Sequence, residues 1–583
     1  MKKLFLIFLL TLTYTINLTT NAEVRFVNKT GSSTPPYTSW ATAADSIQKC
    51  INISQSGDTI YVANGTYKEY VRMTPNISLI GSGIDSCVID TRGLTLPQFR
   101  AVIIKDSCLV EGFQIVVHYN TENFAGIYGN GVGKETVIRN NLIKDCTIGI
   151  SFIQTSALVQ DNIIRNTRDG IQIFPVFSDE YPIVERNYIS DSEFGISVEW
   201  PLKPTITNNT IYFQEGFSGI KVFAPESSFC ANNIVIVEQA VDGISYEDTN
   251  GPFFNNAVIG NCSFQAMRFW KPNEIYNNIV ADGDRGIEVV DNEGVVIQYN
   301  NVWNMNTPYI NYSPDSTNLS ENPMFVDKNN YDFHLQMFSP LIDAGNPTIL
   351  DKDGSRSDLG IYGGPLGDIY HYLDLPPAIP ESFITNIFGD TAISVSWELN
   401  TEADFKYYNI YRDSISGFIP DSITFLSSID TSYFEDVIKG IGKNIYYKIT
   451  SVDSQFNESI AGEEIAVILT GIDSPTINTI AHYNLFQNYP NPFNPETIIG
   501  YRLKEPGYVK LTVYDIKGEL IEKLVNEYKD KGYHEVKFTA YGSEGWKNKL
   551  IGLASGIYLY KLDVIDSRHI PVYSQINKMI LVK

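Results

Sequence analysis

The chain has 583 residues, with 43 Lys and Arg against 67 Asp and Glu and a formal charge of −24 at pH 7. That balance excludes a nucleic-acid binder, which needs a basic footprint, and opposes polyanionic glycans except where Lys, Arg or bound cations reverse the sign locally. The length exceeds one compact core but suits a solenoid, which lengthens by repetition.

In chain order, residues 1–22 read as a secretory signal: Lys2-Lys3, an apolar run from Leu4 to Leu10, then Thr20-Asn21-Ala22 as a small-residue cleavage site. No other stretch approaches the roughly 20 apolar residues that span a bilayer, so no transmembrane segment is expected. In residues 23–375, Trp40, Ala44, Ile47 and Ile51 sit at helical spacing and predict an amphipathic helix plugging the open end of a core. Six cysteines (Cys50, Cys87, Cys108, Cys146, Cys230, Cys262) show no Cys-x-x-Cys spacing; an oxidising compartment permits disulfides, while the other reading is burial as small apolar residues.

Gly-Ile recurs at Gly126, Gly149, Gly170, Gly195, Gly219, Gly243 and Gly286, with Ala266-Met267 in the one missing place. In phase run Asn140-Asn141, Asp161-Asn162, Arg186-Asn187, Asn208-Asn209, Asn232-Asn233, Asn255-Asn256, Asn277-Asn278 and Asn300-Asn301. A fixed period means one stacked unit. Alternating Ile, Val, Phe and Tyr broken by Gly and Asn predict short strands, one coil per repeat, stacked at about 4.8 Å as a parallel β-helix. The Asn pairs are predicted corners, tolerant of left-handed backbone and able to stack side chains.

This region resembles the right-handed parallel β-helix superfamily of pectate lyases. The segment Phe26 to Tyr67, with Pro35-Pro36-Tyr37-Thr38-Ser39-Trp40 and Gly57-Asp58-Thr59-Ile60-Tyr61-Val62, looks like that family's N-terminal lead-in. Asn322-Pro323-Met324-Phe325, Ser339-Pro340-Leu341-Ile342-Asp343 and Asp358-Leu359-Gly360-Ile361-Tyr362-Gly363-Gly364 resemble its terminal segment. The resemblance implies the fold and names no substrate.

Pro376-Pro377 marks a linker. Trp397, Tyr408-Asn409-Ile410-Tyr411 and Tyr446-Tyr447-Lys448-Ile449 alternate as strands, and residues 376–472 resemble a fibronectin type III β-sandwich. In residues 482–583, Phe486-Gln487-Asn488-Tyr489-Pro490-Asn491-Pro492-Phe493-Asn494-Pro495, then Val513-Tyr514-Asp515-Ile516-Lys517-Gly518 and Lys578-Met579-Ile580-Leu581-Val582-Lys583, look like the C-terminal sorting domain of the type IX secretion system. That resemblance implies the secretion machinery as a partner, transport across the outer membrane, and a second small β-sandwich. The expected class is all-β: a right-handed parallel β-helix followed by two small β-sandwich domains.

The histidines are scattered and make no His-x-x-x-His pair; a Ser-His-Asp arrangement would have to use His118 or His334. If each Gly-Ile isoleucine points inward, the next residue and the one two further on point out. The first outward column is Tyr128, Ser151, Gln172, Ser197, Lys221, Ser245, Arg268 and Glu288; the second holds Glu199, Phe223, Glu247 and Trp270. In a polysaccharide lyase, Lys221 and Arg268 would abstract a proton α to a uronate and steady the developing charge, with Phe223 and Trp270 stacking on sugar rings and Glu288 beside them. In an inverting glycosidase, Glu199 and Glu247 would be the two carboxyls. Asp351, Asp353 and Asp358, around Gly354, have the texture of a Ca²⁺ loop, lacking the Glu of an EF-hand. The expectation is an exported, cell-surface or released protein that binds polysaccharide, with lyase chemistry first and glycoside hydrolysis second; the alternative is a non-catalytic surface adhesin.

Overall fold

The computed structural model describes residues 22–94, 99–117, 124–174, 181–199, 203–223, 228–247, 251–270, 274–291, 294–388, 392–438, 444–468, 483–485, 488, 493–540, 553–566 and 571–582. The signal segment, His118 and most of the stretch around Pro490 lie outside them.

Residues up to Asp374 form a parallel β-solenoid. One sheet has twelve short strands, from Val24–Val27 to Val296–Gln298; a second has 14, several of them long enough to run round a corner, such as Tyr188–Glu199 and Ile234–Glu247. Successive coils pair in parallel, and the isoleucines fall in one register: Ile127, Ile150, Ile171, Ile196, Ile220, Ile244, Met267, Ile287. All eight are at most 1% exposed. Each such burial is worth roughly 1.5–3 kcal/mol, so the column is a large part of what drives the coils together.

The glycines are there for space. A Cβ on Gly149 would sit 2.5 Å from the Gly170 carbonyl oxygen and 2.6 Å from the Ile164 side chain. Register shifts between coils occur between Ser190 and Phe194, between Val237 and Asp242, and between Ile259 and Met267.

The two members of each Asn pair divide the work. The first takes the left-handed corner, with φ of 53° at Asn140, 54° at Asp161, 52° at Arg186 and 56° at Asn208. The second turns inward and stacks. Asn209 Nδ2 donates to Asn233 Oδ1 at 2.9 Å, to the Val184 carbonyl at 2.9 Å and to the Thr207 carbonyl at 3.1 Å. The ladder runs Asn141, Asn162, Asn187, Asn209, Asn233, Asn256, Asn278, Asn300, Asn318. In the last coil the expected pair is displaced by one: Tyr299 takes the corner at φ 55°, Asn300 the ladder, and Asn301 binds the Glu321 backbone.

The expected capping helix is shorter than its spacing suggests. It spans Ile47–Ile51, with Ser46 as N-cap and the Glu69 carboxylate accepting from the Ile47 and Gln48 amides. Ala44, Ile47 and Ile51 are buried, but Trp40 lies outside the helix, 48% exposed, its ring 4.5 Å from that of Phe26. The six cysteines are buried and unpaired, the apolar alternative.

The terminal segment folds back over the outside of the late coils. Phe333, Leu335, Leu341 and Leu359 cover Ile234, Ile236, Ile259 and Ile279. The first members of the late Asn pairs hold it: Asn232 donates to the Ile361 and Gly363 carbonyls, and Asn255 to those of Asp358 and Gly360.

The unit from Leu375 contains two small antiparallel β domains. The first, fibronectin type III-like, has a three-stranded and a four-stranded sheet closing on Trp397, Tyr408, Ile410, Tyr447 and Ile449. The second repeats that division between Asn484 and Leu581, around Tyr501, Leu511, Tyr560 and Leu562.

A candidate groove on the long sheet

The outward column stands as expected: Tyr128, Ser151, Gln172, Ser197, Lys221, Ser245, Arg268 and Glu288 are successive register partners. Glu199, Phe223 and Glu247 also follow one another. Trp270 succeeds the strand Ala257–Phe269, and its amide donates to the Tyr246 carbonyl. Lys221 and Arg268, and likewise Glu199 and Glu247, are two strands apart, roughly 10 Å at backbone level.

A further column was not foreseen. The residues just before the glycines also pair in sequence: Ile148, Asp169, Phe194, Ser218, Asp242, Gln265. A cavity of about 310 Å³ is lined from both columns, by Ala125 and Ile148 before the glycine and by Tyr128, Ser151 and Gln172 after it, with Arg100, Ile153, Arg168 and Phe174 around them. The chain therefore bends at the glycine, and at these early coils the two columns line one cavity.

The two columns are polar and under-satisfied. Gln172 Oε1, Ser218 Oγ, Asp242 Oδ1, both side-chain ends of Gln265 and Arg285 Nε are buried without a hydrogen-bond partner, six of the eleven such atoms among the described residues. Unpaired buried polar atoms are costly; of these, Gln172 Oε1 is on a residue that lines the cavity, where a ligand or water would complete it.

The late coils concentrate charge. Arg268 Nε lies 3.0 Å from Glu288 Oε2, and its guanidinium is 4.9 Å from the Trp270 ring and 5.2 Å from the Phe264 ring. Ser245 Oγ donates to Glu247 Oε1 at 2.9 Å. Burial pushes the Asp242 carboxyl up to about 6; Arg268 opposes the shift, and Glu247 and Glu288 reinforce it. A carboxyl poised there can give or take a proton near neutrality. Arg268, held by Glu288, suits charge stabilisation better than proton abstraction.

The proposed Ca²⁺ ligands divide. Asp351 accepts from the Asp358 amide at 3.1 Å and from the Gly364 amide; Asp358 accepts from the Asp343 amide and the Tyr372 hydroxyl, both at 2.9 Å. Burial pushes Asp358 up to about 6. Asp353 is exposed and caps Ser355, which holds its carboxyl below the usual range. The first two are close together, and all three already organise turns. His334 stacks on Tyr362 at 3.7 Å with Nδ1 2.6 Å from Asp332 Oδ1, a packed scaffold position.

Sequence reasoning passed over Asp242, Gln265, Arg100 and Arg168. The signal was available for the first two, since both immediately precede the repeated glycine position; strict alternation, which the bend breaks, pointed them inward.

A family model described as right handed beta helix region matches residues 125–270. No curated protein matches the chain. Among solved structures, a complex of XylC with xylose is similar at 11% identity and TM-score 0.32, over 71% of this chain and 95% of that one. The central fibronectin-III array of RIM-binding protein is similar at 10% identity and TM-score 0.20, over 36% of this chain and 70% of that one. The fibronectin(III)-like modules of CbhA from Clostridium thermocellum reach 15% identity and TM-score 0.12, over 33% of this chain and 86% of theirs. At such TM-scores these likenesses carry no functional argument.

Proposed function

We propose that this is an exported protein that binds polysaccharide along the groove of the long sheet and cleaves it hydrolytically at the late coils. The observation that carries the reading is Asp242: a carboxyl raised to about 6, with a partnerless buried oxygen, beside Arg268, Glu288 and Glu247. Asp242 is the proton donor to the leaving oxygen, Glu247 the second carboxylate, and Arg268 with Trp270 and Phe223 holds the neighbouring sugar. In this reading Asp242 takes the place of Glu199 in the expected carboxyl pair, and hydrolysis comes ahead of elimination. Lys221 remains the base of the elimination reading.

The signal at residues 1–22 and the sorting-domain resemblance at residues 482–583 support export through a type IX system to the cell surface or medium. No helix among the described residues is long and apolar enough to cross a membrane. Asp351 and Asp358 are the residues that would hold a Ca²⁺ ion, which would have to displace the hydrogen bonds that all four of their oxygens already accept.

The test is incubation of the secreted protein with neutral and acidic polysaccharides. New reducing ends without unsaturated-sugar absorbance, reduced about a hundredfold or more in Asp242→Asn, support the reading. Unsaturated product that depends on Lys221 means a lyase. Retention with neither product leaves the adhesin alternative, and retention on no glycan overturns the proposal.

A further inference from the structure

At the early end of the groove, four coils from Asp242, the 310 Å³ cavity has its own chemistry. Arg100 sits over Tyr128, with its guanidinium 3.6 Å from the ring centre, and forms no ion pair with any described residue. Arg168 also lines the cavity; its Nε and Nη2 both bond Asp169 Oδ2, at 2.9 and 2.7 Å. Burial holds the Asp169 carboxyl above its usual range, with Arg168 opposing. Gln172 adds a buried oxygen without a partner. The remaining wall is Ser151 and the apolar Ala125, Ile148, Ile153 and Phe174.

The volume falls at the lower end of the range for small-ligand sites, about 300–1,000 Å³. Its lining has two parts. Apolar and aromatic walls take the face of a sugar ring, while a guanidinium held over an aromatic ring offers a fork of donors to a planar or tetrahedral oxyanion. A chain of net charge −24 presents here an arginine without an acidic partner among the described residues.

We infer that this cavity is a subsite for an anionic substituent on a sugar, a carboxylate or a sulfate ester, gripped by Arg100 and Arg168 while the ring packs on Ile148, Ile153 and Phe174. The inference rests on the glycan-binding reading above and adds the substrate class. Acid sugars anchor the polymer at the early coils, and the bond to be cut lies toward Asp242. At about 4.8 Å per coil the two places are roughly 19 Å apart, several sugars along a chain.

The experiment compares retention of the full secreted protein on matched polymers: polygalacturonate against its methyl ester, and dextran sulfate against dextran. Arg100→Gln is run beside the wild type, and both melting temperatures are measured to verify folding. The expected result is at least tenfold tighter binding to one charged polymer than to its neutral counterpart. That preference should shrink about tenfold in Arg100→Gln and weaken with salt. The carboxylate and sulfate arms tell the two sources apart. Equal binding to charged and neutral polymers, or a preference unchanged in Arg100→Gln, overturns the anionic subsite while leaving glycan binding intact. Failure of all four polymers to bind overturns the subsite, and the broader reading is then judged on the neutral glycans of its own test.

Discussion

At the scale of single residues, the asparagine ladder carries more than a corner requires. From Asn141 to Asn300, each inner Asn donates to two carbonyls and to the next Asn and is shielded from water, so removing one strands acceptors on two coils. Asn209→Ala should cost about 3 kcal/mol, seen as a lower urea midpoint with the mean slope retained. The Asn pairs were legible as corners; which member stacks inward was not, because alternation cannot be counted through a left-handed residue. Titration belongs at this scale too. Asp242 and Asp358 are both raised to about 6, so the folded state holds protons that the unfolded state, near 3.8, has released. Stability contributed by their neutral forms is present in acid and lost as pH rises from about 4 to 6. Urea titrations across that window should show this decline, flattened in an Asp242→Asn, Asp358→Asn double variant.

At the scale of elements, the bend at each glycine decides what becomes a groove. Gly170→Ala brings a Cβ to 2.5 Å from the Gly195 carbonyl oxygen, which should cost about 2–4 kcal/mol by denaturant unfolding. The inward isoleucines and the column after them were readable from a period of two. The column before the glycine was hidden by the bend, and with it Asp242. The helix was overread for a similar reason. Trp40 matches helical spacing by chance, whereas Ser46 and Glu69, 23 residues apart, fix where the first turn begins. The terminal segment is clasped by Asn232 and Asn255, long-range partners that no local pattern reveals. Asn255→Ala removes its bonds to the Ser357 hydroxyl and the Asp358 and Gly360 carbonyls. Limited proteolysis should then cut within residues 339–364 at least tenfold faster, while the coils remain intact.

At the scale of the whole molecule, a stacked solenoid supplies a long rigid face, and small antiparallel domains follow it. The repeat made the class legible because one unit recurs, so each coil confirms its neighbours. Chemistry is written differently, by residues such as Asp242, Arg268 and Glu288 that stand on neighbouring coils and meet only once the coils are stacked. The central claim is that polysaccharide lies along the column from Tyr128 to Glu288. A crystal structure of the secreted protein with the oligosaccharide it retains tests this most directly. The account predicts sugar rings against Phe174, Lys221 and Trp270, with an oxyanion at Arg100 and a glycosidic oxygen within hydrogen-bond reach of Asp242. Sugar bound only on the small sandwiches or on the opposite sheet, with this groove left to water, would contradict it.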